Sequence, residues 1–255
     1  MDLKLRGKSA LVTGASQGIG AATAEVLAEE GCDLHLAARN AAALEELARR
    51  LRQEHGVDVQ VHPADLRRPE DLTRLADAVP DIDILVNNAG DIPGGTLDAI
   101  DANTWRHAWD LKVLGYIDLT RLVYARMRTR GHGVIVNNIG VAGERVDANY
   151  IAGSSGNAAL MAFTRALGGG SPADGIRVVG VNPGAVATER ILTLMKKQSG
   201  SSSGDESRLT STFPFGRAAE PREVADLIAF VASDRSAYTS GVVFTIDGGL
   251  SATAG

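Results

Sequence analysis

The run Leu11-Val12-Thr13-Gly14-Ala15-Ser16-Gln17-Gly18-Ile19-Gly20 decides the fold. Residues 10–12 are apolar and read as a buried strand. The chain then breaks into a glycine-rich turn, and a helical pattern starts near Gly18. A strand, a glycine turn and a helix start, in that order, form a seat for a dinucleotide pyrophosphate. Glycines let the chain turn tightly and approach a ligand with no Cβ in the way. The N–H groups of the helix start, with the helix dipole behind them, favour phosphate charge. Gly14, Ser16, Gln17, Gly18, Ile19 and Gly20 are therefore the expected phosphate contacts. The spacing is G-x-x-x-G-x-G rather than G-x-G-x-x-G, and any glycine-rich strand-to-helix turn is the competing explanation of this stretch alone.

Strand and helix signals alternate outward from there. Gly31 stops the first helix, and Asp33–Ala38 reads as a second strand. Ala41–His55 reads as a helix with Leu44, Leu47 and Leu51 on one face. Residues 57–62 form a third strand, Pro69–Ala78 a helix with proline in its first turn, and residues 82–86 a fourth strand entering Asn87-Asn88-Ala89-Gly90. In the long helical region that follows, Trp105 and Trp109 read as core or subunit-interface residues rather than ligand-stacking ones. Gly133–Asn138 is the fifth strand, and a helix over 149–167 is stopped by Gly168-Gly169-Gly170. Residues 176–181 form the sixth strand, Pro221–Ala232 a helix and residues 241–246 the last strand. The Ser/Gly-rich residues 199–204 lie in a segment, about 191–212, expected to be mobile and to cover the substrate side. No repeat and no shift of composition divides the chain. The expectation is one α/β dinucleotide-binding domain over residues 1–255, a doubly wound parallel seven-stranded Rossmann sheet with helices on both faces.

Composition narrows the function classes. The 255 residues are 44% hydrophobic and 22% charged, with a net charge of −5, which argues against nucleic-acid and anionic-membrane partners. No apolar run approaches the ~20 residues needed to span a bilayer. Met1 to Arg6 holds no signal-peptide core, so a cytoplasmic location is expected. Cys32 is the one cysteine and reads as a buried, inert thiol. The histidines are scattered without ligand spacing, so no metal is expected.

In such sheets the turns at the carboxyl ends of the strands face one cleft. At the end of strand two, Ala38 stands where an acid would hold free ribose hydroxyls, and Arg39 follows. A guanidinium there suits a 2′-phosphate, so NADP is favoured, with NAD kept open because Arg39 could instead stack on adenine or point to solvent. Asp65, with Leu66 beside it, can accept from the adenine amino group. Asn88, Ala89 and Gly90 let the backbone pass near a ribose, and Pro183, Gly184, Val186 and Thr188 can meet the nicotinamide amide.

These segments together resemble the short-chain dehydrogenase/reductase family over essentially the whole chain. Thr13 to Gly20 is similar to its cofactor loop, Asn87 to Gly90 to its Asn-Asn-Ala-Gly segment, and Asn182-Pro183-Gly184 with Thr188 to its nicotinamide-side segment. Phe215-Gly216-Arg217, Glu220-Pro221 and residues 241–249 are similar to its C-terminal region. The resemblance implies an NAD(P)-dependent oxidoreductase acting on a small carbonyl or alcohol, as a homotetramer or homodimer.

It also implies four catalytic side chains, Asn, Ser, Tyr and Lys, with the last two as Tyr-x-x-x-Lys. Matching the flanks puts Asp110, Gly140, Gly153 and Asn157 at those four positions. No lysine lies between Lys112 and Lys196, so the helical ammonium is missing in any register. Tyr150 lies three residues before Gly153, about one turn or ~5 Å away. It is a candidate displaced acid, although a phenol with no cation beside it titrates near ~10 and exchanges protons slowly at neutral pH. Asp110 or Ser154 can instead belong to a different constellation. Equally, Tyr150 can simply cap the helix and Asp110 can be a surface acid. Asn157 can bond a ribose hydroxyl but brings no charge. The reading is an oxidoreductase with a non-standard site; the alternative is a cofactor-binding sensor or assembly partner without turnover.

Overall fold

Seven strands, β1 (Ser9–Thr13), β2 (Asp33–Ala38), β3 (Val59–Pro63), β4 (Ile84–Asn87), β5 (Gly133–Asn138), β6 (Ile176–Pro183) and β7 (Val243–Ile246), lie parallel in the order β3-β2-β1-β4-β5-β6-β7. They belong to a computed structural model that describes residues 1–188 and 213–252. Residues 191–212, expected to cover the substrate side, lie outside the described residues. The helices are α1 (Gly18–Glu29), α2 (Ala41–His55), α3 (Pro69–Ala78), α4 (Ala102–Trp109), α5 (Gly115–Arg130), α6 (Ile151–Gly170) and α7 (Pro221–Ala232). The expected doubly wound α/β sheet is the observed fold.

The central strands are apolar without alternation because helices cover both faces. Along β1, Ala10 and Val12 pack with Leu27, Leu44 and Ile228 of α1, α2 and α7. Leu11, between them, faces the opposite layer with Leu75 of α3 and Val123 of α5. The order of strands reverses at β1, between β2 and β4, and this places the mouth of the cleft. Cys32 is buried, its Sγ lies 3.4 Å from the Leu5 carbonyl oxygen, and burial pushes its thiol up to about 12. That is the inert thiol the sequence suggested. Trp105 and Trp109 pack on a small core of Ile92, Ile100, Ala108 and Ala152, and the Trp109 indole donates to the Ala152 carbonyl at 2.9 Å.

Two local features differ from the periodicity. Gly168-Gly169-Gly170 does not stop α6, which runs to Gly170 and tightens into a 3₁₀ turn, Ser171–Asp174, before Gly175 at φ +72° ends it. Gly168 answers to packing instead: a Cβ there would lie 2.4 Å from the Gly241 nitrogen. Secondly, α4 and α5 are joined by a π turn, Asp110–Leu114, in which the Gly115 N–H reaches five residues back to the Asp110 carbonyl. Such one-residue expansions re-aim the side chains beside them.

β2 and β3 also bring His35 Nδ1 within 3.0 Å of His62 Nε2. Burial, and then the neighbouring His35, lower His62 from 6.5 to about 4; burial lowers His35 as well. Between those values the unfolded chain holds protons that the folded chain refuses, so acidification favours unfolding. Urea unfolding should show stability falling from pH 6.5 towards pH 4, and His62→Gln should flatten that fall. Equal slopes in the two proteins would show that the pair does not set it.

Candidate active site

A chain of buried and half-buried side chains ties the strand ends together around the glycine turn. The Thr13 hydroxyl donates to the Val86 carbonyl at 3.2 Å and accepts the N–H groups of Asn88 and Ala89 at 2.8 and 3.1 Å. The Asn88 amide donates to the carbonyls of Thr13 at 3.0 Å and Gly14 at 3.3 Å, and its oxygen accepts from Asn138 at 2.8 Å. Behind them Asn87 donates to Thr120 and Asn137, and Asn137 to Thr164. With the ends of β1, β4 and β5 locked in this way, the turn has little freedom.

The glycines there answer to space. Gly14 has φ +66°, and a Cβ on it would lie 2.8 Å from the Ala89 Cα. A Cβ on Gly20 would lie 2.3 Å from the Gly14 carbonyl oxygen, so the first turn of α1 sits directly on the loop. This cradle fits a pyrophosphate, which needs backbone N–H groups presented without side chains between.

The cradle opens into a cleft of about 700 Å³ across the carboxyl ends of the strands. Gly14, Ser16, Gln17, Gly18 and Ile19 line it, with Arg39, Leu66, Asn88, Ala89 and Gly90, and Pro183 and Thr188 on the far side. Arg39 is exposed at the end of β2, where a guanidinium was expected. Gly20, Asp65, Asn157, Gly184 and Val186 are not among the lining residues. Gly20 underpins the turn. Gly184 donates to the Ile246 carbonyl at 3.0 Å, and Val186 is buried in a bridge to Ala219. Both hold up the strand end that carries Thr188. The Asp65 carboxylate takes Arg67 Nε and Nη2 at 2.8 Å each, and that guanidinium holds it below the usual carboxylate range. Its oxygens already have donors before any adenine arrives.

The catalytic candidates Asp110, Tyr150 and Ser154 are not among the residues that line the cleft. Asp110 is half-buried at the start of the π turn. The Ser154 hydroxyl is buried and accepts the Asp147 N–H at 3.0 Å, which anchors the loop before α6. Tyr150 caps α6 and packs beside Ile92, Ile100 and Ala152. Its ring lies across Gly153, so that a Cβ at 153 would fall 2.0 Å from ring carbons Cε1 and Cζ. Asn157 is buried beneath Gly140, where a Cβ would lie 3.0 Å from the Asn157 Nδ2. The Asn157 Oδ1 has no hydrogen-bond partner among the described residues.

The sequence profile described as enoyl-(acyl carrier protein) reductase matches residues 14–251. The chain belongs to the short-chain dehydrogenase/reductase family. Among its relatives in this family, acetoacetyl-CoA reductase of Allochromatium vinosum is 33% identical over 252 residues, which are 94% of this chain and 97% of that protein. L-Sorbose reductase from Gluconobacter frateurii, solved with NADPH and L-sorbose, matches with a TM-score of 0.94 at 33% identity over 100% of both chains. 7α-Hydroxysteroid dehydrogenase, solved with NADH and 7-oxo glycochenodeoxycholic acid, matches with a TM-score of 0.89 at 28% identity, over 97% and 96% of the two chains.

Within this family frame, the sequence reading missed several lining side chains, the polar ones being Asn40, Asp91, Lys112 and Asn138. Lys112 bears on the expectation of a chamber with no ammonium, because a lysine does reach this cleft, from the π turn rather than from α6. A strict 3.6-residue period leaves no sign of it, since the turn that aims Lys112 holds one residue more. Among the described residues no cluster of potential metal ligands occurs, and no helix is long and apolar enough to cross a membrane.

Gly14→Ala combines a disfavoured φ with a backbone clash. It should lower stability by about 1–3 kcal/mol, read as the shift in urea midpoint. Wild-type stability in that variant would show that the turn is looser than its contacts imply.

Proposed function

We propose that the chain binds NADP(H) in this cleft and carries hydride transfer between the nicotinamide and a small carbonyl or alcohol, with an active site that departs from the family's Asn-Ser-Tyr-Lys set. The observation that carries the reading is the pairing of a glycine cradle with an exposed Arg39, and no acid, at the end of β2. The cofactor, when bound, supplies or accepts the hydride. The loop opening α1 holds the pyrophosphate, Arg39 faces the 2′-phosphate, and Pro183 and Thr188 border the nicotinamide side.

Tyr150 is the proposed proton donor to a substrate oxygen. Its ring occupies the space from which a side chain at 153 would start, which supports the displaced-acid reading. Asp110 and Ser154 are the secondary candidates, and the bond of Ser154 to the Asp147 backbone favours a loop-anchoring part for it. Asn157, neutral and buried, supports the competing reading of a cofactor-binding protein without turnover. A homodimer or homotetramer belongs to the same proposal. It is supported by an apolar groove of about 530 Å³ on α5 and α6, lined by Leu122, Tyr124, Phe163 and Leu167 among others.

Fluorescence titration should give tighter binding of NADPH than of NADH. Arg39→Asp should weaken NADPH by on the order of 10- to 100-fold and NADH far less. Equal losses would remove the basis for the NADP assignment. Cofactor oxidation against a panel of small carbonyls should give turnover that Tyr150→Phe reduces by about 100-fold. Turnover untouched by that substitution would end the role of Tyr150, and tight binding with no turnover would favour the sensor reading.

A further inference from the structure

We propose that Lys112 supplies the positive charge of the nicotinamide half of the cleft, in place of the ammonium that α6 lacks. The inference rests on the cofactor reading above and adds a residue to it. Lys112 is half-buried within the π turn and lines the cleft. Its stem crosses Gly90: a Cβ there would lie 2.9 Å from the Lys112 Cδ and within 3.6 Å of its Cγ and Cε. Its ammonium donates to the carbonyl of Ile139, the residue after β5. The side chain is thus laid along the ends of β4 and β5 rather than out into solvent.

Position along the sheet tells which half of a dinucleotide it meets. The cleft straddles the reversal of strand order at β1. Arg39 stands on the β2 side of that point, and Lys112 on the β4–β5 side. A dinucleotide whose 2′-phosphate is at Arg39 therefore extends its second ribose towards Lys112. Asn157, which does not itself line the cleft, is buried against Gly140, the residue after Ile139, and its Oδ1 has no partner among the described residues. A hydroxyl accepts from an ammonium that has donors to spare beyond one backbone carbonyl, and a ribose carries two hydroxyls. The glycine at 90 is what keeps the path open, since any side chain there would push the lysine stem aside.

The test compares two ligands. NADPH carries both halves, and adenosine 2′,5′-bisphosphate stops before the second ribose. Lys112→Met should weaken NADPH about tenfold, the loss of one charge-assisted contact, and leave adenosine 2′,5′-bisphosphate within twofold of wild type. Lys112→Arg should keep NADPH binding within about threefold. In the wild-type protein, reductive methylation read by mass spectrometry should label Lys112 less with NADPH bound than with the bisphosphate bound. That measurement decides the matter without a variant if Lys112→Met fails to fold. Unchanged NADPH binding in Lys112→Met, equal losses for the two ligands, or equal labelling of Lys112 would each overturn the proposal while leaving the cofactor reading intact. Failure of the wild type to bind either ligand would overturn both.

Discussion

The bond network from Thr13 through Asn88 to Asn138 is the constraint on which the cleft depends. Parallel strands end in carbonyls and N–H groups that no further ladder can satisfy. Here side chains satisfy them across three neighbouring strands, and the same bonds set how closely Ala89 approaches Gly14. The Asn88 amide takes two carbonyls that the glycine turn leaves behind. Removing it would take the side-chain partner from both carbonyls at once. The glycine turn can therefore be thin and ligand-facing without being loose.

A second constraint comes from the join of α4 and α5. A continuous helix of regular pitch would fix which residues face the sheet along its whole length. The π turn breaks that phase once, at Asp110–Leu114, beside the end of β5. Leu111 and Val113 stay buried, while Lys112 turns to the cleft. A lysine in this half of the cleft thus comes from the helical region that covers it from one side, while Asp91 comes from the turn after β4. On the other side, α6 carries glycine and asparagine, and the Tyr150 ring fills the room at Gly153.

Relatives solved with NADPH and with NADH share this scaffold, so the sheet and the cradle do not choose between the two cofactors. The choice falls to side chains at the end of β2. Arg39 is exposed and contributes to holding Asp65 ionised, although Arg67 dominates there. The cationic character of that corner comes from two arginines, only one of which was expected to matter. The second, Arg67, also reaches His107 on α4 and so links the β3 turn to the long helix.

By itself the sequence determined the order of strands and helices, the glycine cradle and the arginine at the end of β2. These are local signals, fixed by apolar runs, by turns that exclude a Cβ and by residues adjacent in the chain. Even so, Gly168 looked like a helix stop and proved to be a packing contact, because the Gly241 backbone that crowds it lies far along the chain. Only the tertiary structure decided that Asp65 is taken by Arg67, that Tyr150 lies over Gly153, and that Lys112 reaches Ile139. Each of those depends on a side chain's direction, and the last on a direction across the gap between two elements. Composition and periodicity carry no direction of that kind, and a single extra residue in a helical turn is enough to change it.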